Sequence, residues 1–275
     1  MSNWKIASSY IIGQGHISKN IPCQDRTFKL VDKKFLKKLV KRKVFKKRKV
    51  IKRTIKVIDN QNSFYGLSLA DGAGSCKHSD IGAELITKNV LFYIKRNFDI
   101  LFRNENISLT LIDYIENELK KRTTDDISFK DLSSTLLFIS IKDNKFIIGH
   151  IGDGVIGMLD NKNNLKTISK PDNGEFSNST FFTTSIKYKE RLRILKGTLK
   201  SANGFILMSD GSEDSLYDKK KEILSDTNKI IINWLDNNSE KEVEKALYNN
   251  LDKIISKQTN DDCSIGIIKM AFKDI

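Results

Sequence analysis

Apolar and polar residues alternate with a period of two along many short stretches of this chain. Residues 50–58 (VIKRTIKVI) set Ile51, Ile55 and Val57 on one side and Lys52, Thr54 and Lys56 on the other, the pattern of a half-exposed strand. Runs at 63–70, 134–142, 145–151, 154–160, 204–209 and 263–269 read as further strands, several bounded by Gly, Asp or Asn. Elsewhere the period lengthens to that of a helix. Ile81, Leu85, Ile86, Val90, Leu91 and Ile94 form one face over about 80–97, after the candidate cap Ser79. Leu111, Ile112, Ile115 and Leu119 do so over 108–122, and Val243, Leu247, Leu251, Ile254 and Ile255 over 240–257, after Ser239. Strand groups separated by helices, without regular βαβ alternation, favour mainly antiparallel sheets covered by helices.

Composition narrows the class. A chain of 275 residues, 39% hydrophobic and with two prolines, suits one domain spanning 1–275 with no Pro-rich linker. Cys23, Cys76 and Cys263 make neither a disulfide framework nor a paired metal knuckle, which fits a reducing cytoplasm. No run approaches the ~20 apolar residues of a membrane span.

The formal charge of +14 is localised. Lys29 to Lys56 holds 15 Lys and Arg against one acid, Asp32, while the remainder balances at 33 of each sign. Residues about 32–49 therefore read as a basic insertion, with Phe35, Leu36, Leu39, Val40 and Val44 on one broad side of a helix. An acidic protein partner, an anionic membrane surface and nucleic acid all suit such a segment, as does a plain solvated extension. Nucleic-acid binding as the main function is disfavoured, because the charge is confined and Phe35 and Phe45 are its only aromatics.

Acidic motifs stand where the chain enters or leaves strands: Cys23-Gln24-Asp25-Arg26, Ala70-Asp71-Gly72-Ala73-Gly74-Ser75, Ser209-Asp210-Gly211 and Asn260-Asp261-Asp262-Cys263-Ser264. A fifth, Gly152-Asp153-Gly154, joins two strand candidates as a hairpin turn would. Hard cations such as Mg²⁺ and Mn²⁺ prefer oxygen donors, and two of them about 4 Å apart can clamp a phosphate and acidify a water. Glycine after Asp71 and Asp210 permits a sharp turn, and at Gly72 offers a backbone carbonyl as a ligand. Any one Asp-Gly alone is an ordinary turn.

As an ordered set the motifs carry more weight. PCQDR, LADGAGS before a helix, SSTLLF, HIGDGVIG, ILMSDG and NDDCS before a strand resemble the successive motifs of the type 2C (PPM) metal-dependent protein phosphatases. Gly174-Glu175-Phe176-Ser177-Asn178 and Phe181-Phe182-Thr183-Thr184-Ser185 resemble a compact bacterial branch. The resemblance implies an α+β fold, a four-layer α-β-β-α sandwich of two mainly antiparallel sheets, with the metals at one end. It implies a protein serine/threonine phosphatase of the cytoplasm that uses two Mn²⁺ or Mg²⁺ ions, with a third ion open, on a phosphorylated protein substrate. A monomer acting in signalling is expected. By motif matching, Asp71, Asp210 and Asp261 hold one metal, Asp71 with the Gly72 carbonyl bridges to the second, and Asp25 belongs to that second ion. Gln24, Asp153 and Asp262 are supporting residues, and Asp131, Asp125 or Asp126 are candidates for a third ion.

Three departures accompany the match. Gln24 stands where many members have Glu, and Ala73 where eukaryotic members have His. The upstream phosphate-binding Arg is missing, leaving His16 and Lys19 as the nearest substrate-binding substitutes. They motivate an alternative, a catalytically weak module of the same fold that binds phosphoproteins. No Cys-x5-Arg loop or histidine cluster offers a covalent mechanism, although the cysteines near the aspartates raise the idea of redox inhibition.

Overall fold

The computed structural model describes residues 3–44, 49–172, 180–185 and 190–271. The motif residues 174–178 and Phe45 lie outside them. In chain order the elements are β1 (Asn3–Ile11), α1 (Gln14–Ser18), β2 (Arg26–Val44), β3 (Lys49–Ala70), α2 (Ser79–Arg103), α3 (Ile107–Lys120), β4 (Leu136–Lys142), β5 (Lys145–Ile151), β6 (Val155–Asp160), β7 (Leu165–Ser169), β8 (Arg193–Thr198), β9 (Ala202–Met208), α4 (Asp210–Leu216), β10 (Tyr217–Asp218), β11 (Ile223–Leu224), α5 (Asp226–Asn237), α6 (Glu240–Lys253) and β12 (Cys263–Ala271).

Two five-stranded sheets form, ordered β1-β12-β9-β6-β7 and β2-β3-β4-β5-β8, with every neighbouring pair antiparallel. The alternation in each strand explains why they stack. In β4, Leu137, Ile139 and Ile141 face the opposite sheet while Leu136 and Phe138 face helices. In β9, Phe205 and Leu207 turn inward, and Ile206 and Met208 turn outward. A strand buried on both faces cannot be half polar, and these are not.

Three apolar layers result. Trp4, Tyr65, Leu67, Ile139 and Phe205 fill the space between the sheets, where the Phe205 ring lies 6.5 Å from Trp4 and 5.5 Å from Phe146. Ile86, Val90, Ile94, Phe98, Leu111 and Ile115 join α2 and α3 to the second sheet. Ile231, Leu235, Val243 and Leu247 join α5 and α6 to the first. The order is helices, sheet, sheet, helices, the four layers that the resemblance implies. Ser239 caps α6 in a reciprocal box with Glu242, as its position before the apolar face indicates. His78 rather than Ser79 is the capping residue of α2.

The basic segment differs from expectation. Arg26–Asp32 of β2 pairs with Phe64–Ala70 of β3, and β4 covers the other edge of that part of β3. The register shifts between Asp32 and Lys34, after which Lys34–Val44 pairs with Lys49–Asp59. Among the described residues no third strand joins this part. The segment is thus a two-stranded ribbon and not a helix, and it takes in residues 50–58, which were expected to belong to the domain's own sheet. The helix-like spacing of its apolar residues is overridden by pairing with a β-branched partner strand, a non-local term absent from the spacing.

Candidate metal centre

One end of the sandwich collects the acids. Strand β3 ends at Ala70, and Asp71 is fixed as it leaves: Thr135 N donates to its carbonyl at 2.8 Å, and its own N donates to Thr135 Oγ1 at 2.9 Å. Gly72 follows in an isolated bridge to Ser134 made by its neighbours, Ala73 N to Ser133 O (2.9 Å) and Thr135 N to Asp71 O. The Gly72 carbonyl takes no part in that bridge. Asp210 begins α4 directly after β9, with its Oδ1 accepting Gly211 N at 2.7 Å. A Cβ on Gly211 would lie 2.1 Å from Asp262 O, so the close approach of this turn to the Asp262 strand requires glycine.

Asp153 is the residue that its local sequence misplaces. Gly152-Asp153-Gly154 is no hairpin turn within a sheet, because β5 and β6 lie in different sheets and this link crosses between them. Gly152 adopts φ 114°, and a Cβ there would meet Thr135 Cγ2 at 2.5 Å. The crossing carries Asp153 to the other acids, and Thr180 Oγ1 donates to its Oδ2 at 2.5 Å. Asp71, Asp153 and Asp210 each offer a carboxylate oxygen, and these oxygens all lie within 4.8 Å of one another.

The remaining candidates surround this trio. Asp25 is fully buried, with Oδ2 accepting Ser209 Oγ at 2.8 Å while Ser264 N donates to that same Ser209 Oγ at 2.9 Å. Asp261 stands at the rim, exposed, its Oδ1 accepting Asp262 N at 2.9 Å. Asp262 is buried and ties backbone together: Oδ1 accepts Gly13 N at 2.6 Å and Oδ2 accepts Gln24 N at 2.5 Å.

Gln24 is buried, with Nε2 donating to Cys76 O at 3.4 Å. His16 has its Nδ1 3.0 Å from Asp262 Oδ1. Lys19 is exposed at the end of α1. Asp131 serves as a cap, accepting Ser128 N and Oγ at 2.9 and 2.6 Å. His150 is a core residue with Nδ1 2.8 Å from Ser169 Oγ. Sequence reasoning passed over Ser209, Thr135 and Thr180, whose hydroxyls hold Asp25, Asp71 and Asp153. Of these, Ser209 alone adjoins a motif aspartate and could have been noticed there.

The electrostatics call for positive charge. Burial pushes the Asp25 carboxyl up to about 8, the Asp262 and Asp210 charges adding to the rise and the Ser209 hydroxyl opposing it. Burial with Asp153 and Asp261 pushes Asp210 up to about 7. Asp71 is raised well above the usual carboxylate range by burial and then by Asp25, Asp210 and Asp261. Asp261 is raised too, first by desolvation of its carboxyl, although the residue as a whole is exposed at the rim. Asp25 Oδ1 and Gln24 Oε1 are buried acceptors without a protein partner. Crowded, desolvated carboxylates with unpartnered oxygens are what a hard dication satisfies, so the residues present fit Mn²⁺ or Mg²⁺.

A sequence model of the family described as protein phosphatase 2C matches residues 54–252. Serine/threonine-protein phosphatase 3 of Escherichia coli (strain K12) is 23% identical over 204 residues, covering 71% of this chain and 69% of that protein. Among solved structures, a bacterial serine phosphatase superposes with a TM-score of 0.60 at 14% identity, covering 99% of this chain and all of its own. The catalytic domain of the serine threonine protein phosphatase PstP, in complex with two manganese ions, superposes at 0.58 and 14% identity over 99% of this chain and 100% of that one. RsbX in complex with magnesium does so at 0.54 and 12% identity, over 98% and 100%. At these identities the structural likeness establishes the shared fold.

Proposed function

The chain belongs to the protein phosphatase 2C family, and on that premise we propose that it hydrolyses phosphoserine and phosphothreonine in proteins by direct attack of water, without a phospho-enzyme. The observation that carries this reading is the meeting of Asp71, Asp153 and Asp210 from both sheets within 4.8 Å. Two divalent cations, Mn²⁺ or Mg²⁺, would when bound supply charge neutralisation for the phosphate and acidify the attacking water. Asp71, Asp210 and Asp153 would hold a cation, with Asp261 at the rim of the site. Asp25 and the Gly72 carbonyl would serve the second ion. Ser209, Thr135 and Thr180 keep the carboxylates in place, so that little reorganisation accompanies the reaction.

Among the described residues, Cys23 and Cys263 are poor competitors as nucleophiles. Burial pushes both the Cys23 and Cys263 thiols up, and these cysteines donate to the Asp25 and Asp261 carbonyls, which suits scaffold residues of a reducing cytoplasm. Among the described residues no helix is long and apolar enough to cross a membrane.

The test is hydrolysis of a phosphothreonine peptide with Mn²⁺, with Mg²⁺ and with a chelator, for the wild type and Asp71→Ala. Cation-dependent turnover that Asp71→Ala abolishes is expected. Turnover that persists in chelator and survives the substitution would overturn the mechanism.

A further inference from the structure

β7 and β8 are edge strands of opposite sheets, and one side chain joins them. His150 is fully buried near the end of β5, two residues after Ile148 and paired with Leu137. Both of those belong to the layer between the sheets, so the imidazole enters that layer. There its Nδ1 lies 2.8 Å from Ser169 Oγ, at the end of β7, and 3.0 Å from Arg193 Nη2, at the start of β8. The same Nη2 donates to the Lys170 carbonyl at 2.6 Å.

A guanidinium can only donate, so Nδ1 is the acceptor and the ring proton sits on Nε2. Burial and then the Arg193 charge hold the imidazole well below the usual histidine range, the Gly152 carbonyl opposing them, which preserves that neutral form. An aliphatic residue would fill this place at less cost in desolvation. What the polar pair adds is direction, because its hydrogen bonds fix three strand ends relative to one another.

Those ends enclose the link that carries Asp153. Glycines at 152 and 154 leave the link itself free to turn, and Gly152 stands at φ 114°, so its restraint has to come from its neighbours. The Gly152 carbonyl accepts Asp172 N at 2.9 Å. Asp172 Oδ1 is 3.5 Å from Arg191 Nη1, and the Arg191 guanidinium lies 4.3 Å from the centre of the Phe181 ring. Next to Phe181 is Thr180, whose hydroxyl donates to Asp153 Oδ2. The contacts close a circuit around Gly152 and Asp153, and His150 with Arg193 fastens that circuit to both sheets.

We propose that His150 is a positioning residue for Asp153: tied to Ser169 and Arg193, it holds the crossing link so that the Asp153 carboxylate stays beside Asp71 and Asp210. This rests on Asp153 helping to hold a cation.

The experiment is Mn²⁺ titration calorimetry of the full chain as wild type, His150→Leu, His150→Asn, Asp153→Asn and the double variant His150→Leu with Asp153→Asn. Leucine keeps the bulk and loses the acceptor, whereas the Asn side-chain oxygen stands near the place of Nδ1. His150→Leu is expected to weaken Mn²⁺ binding by about tenfold or more, as losing an outer partner of a metal ligand does. His150→Asn is expected to stay within about threefold of wild type, since it retains a hydrogen-bond acceptor. In the Asp153→Asn background, His150→Leu is expected to cost nothing further, because two residues that act as one do not add. If His150→Leu does not fold, Arg193→Met, which removes the donor and leaves the imidazole, takes its place with the same expectations. Wild-type affinity in His150→Leu overturns the proposal, as does no recovery in His150→Asn. An equal loss in both backgrounds also overturns it, since that is how a residue that only stabilises the core behaves. Wild-type affinity in Asp153→Asn overturns instead the cation role of Asp153, and the proposal with it.

Discussion

Asp71 and Asp210 leave strands of opposite sheets, β3 and β9, and bring carboxylate oxygens within 4.8 Å of each other. The Asp210 charge adds to the burial that raises the Asp71 carboxyl. The seam between the sheets at this end is thus made of like charges, and its stability depends on what neutralises them.

Replacing Asp210 by Asn removes one of these charges. Activity with saturating Mn²⁺ is expected to fall by more than the ~10–100-fold typical of losing an outer partner of a metal ligand. The metal-free protein at pH 8 is expected to melt at a higher temperature than wild type, because the substitution relieves repulsion. Calorimetry in chelator checks this, and a lower melting temperature would count against the crowding of charge described here.

The pH dependence of the metal-free protein follows from the same groups. Asp25 at about 8 and Asp210 at about 7 hold protons in the folded state that the unfolded chain releases near the ordinary aspartate value. Between about pH 4 and 8 the folded state binds more protons, so these groups favour folding at the acidic end and cease to do so as pH rises through their folded values. In chelator the melting temperature should decline from pH 6 to 8.5. Mn²⁺ should reverse the decline and release protons as it binds. A chelator curve flat over that range would exclude the effect.

Ser209 links Asp25 to the backbone of Ser264 through one hydroxyl. Ser209→Ala leaves Asp25 Oδ2 and Ser264 N without that partner, at a cost of about 1–3 kcal/mol. Mn²⁺ affinity by titration calorimetry is expected to weaken by about tenfold. Unchanged affinity would place Asp25 outside the metal centre.

His16 tests the difference between a substrate group and a scaffold group. Held 3.0 Å from Asp262 Oδ1, its replacement by Gln is expected to lower the melting temperature and leave KM for a phosphopeptide within about twofold. A large rise in KM with unchanged stability would return His16 to the substrate.

Much of this architecture is legible in the chain, and the exceptions have physical causes. Strands such as 134–142 and 145–151 announce themselves because each is bounded by turn residues and filled with β-branched or aromatic residues. Helix α5 does not, because Ile230, Ile231 and Ile232 are β-branched and run together. The structure buries Ile231 and Ile232 against β9 and β12 and leaves Ile230 exposed, so packing overrides propensity. Of the site, Asp71 and Asp210 are legible because Asp-Gly follows a strand in each case. Asp153 is not, since a Gly-Asp-Gly link looks the same whether the next strand joins its own sheet or the opposite one. The ribbon fails to appear for a similar reason, its pairing being set by residues up to twenty-five positions away.

The two sheets also meet at their centre through a buried apolar layer of Trp4, Leu67, Ile139 and Phe205, but at the acidic end their meeting is electrostatic. A cation bound there would act as a rivet through both plates. Withdrawing it should let that one edge of the sandwich breathe, with faster amide exchange at Thr135 and Ser264, while the central layer stays closed. The resting protein would then have one soft edge, and that edge would also be its reactive one.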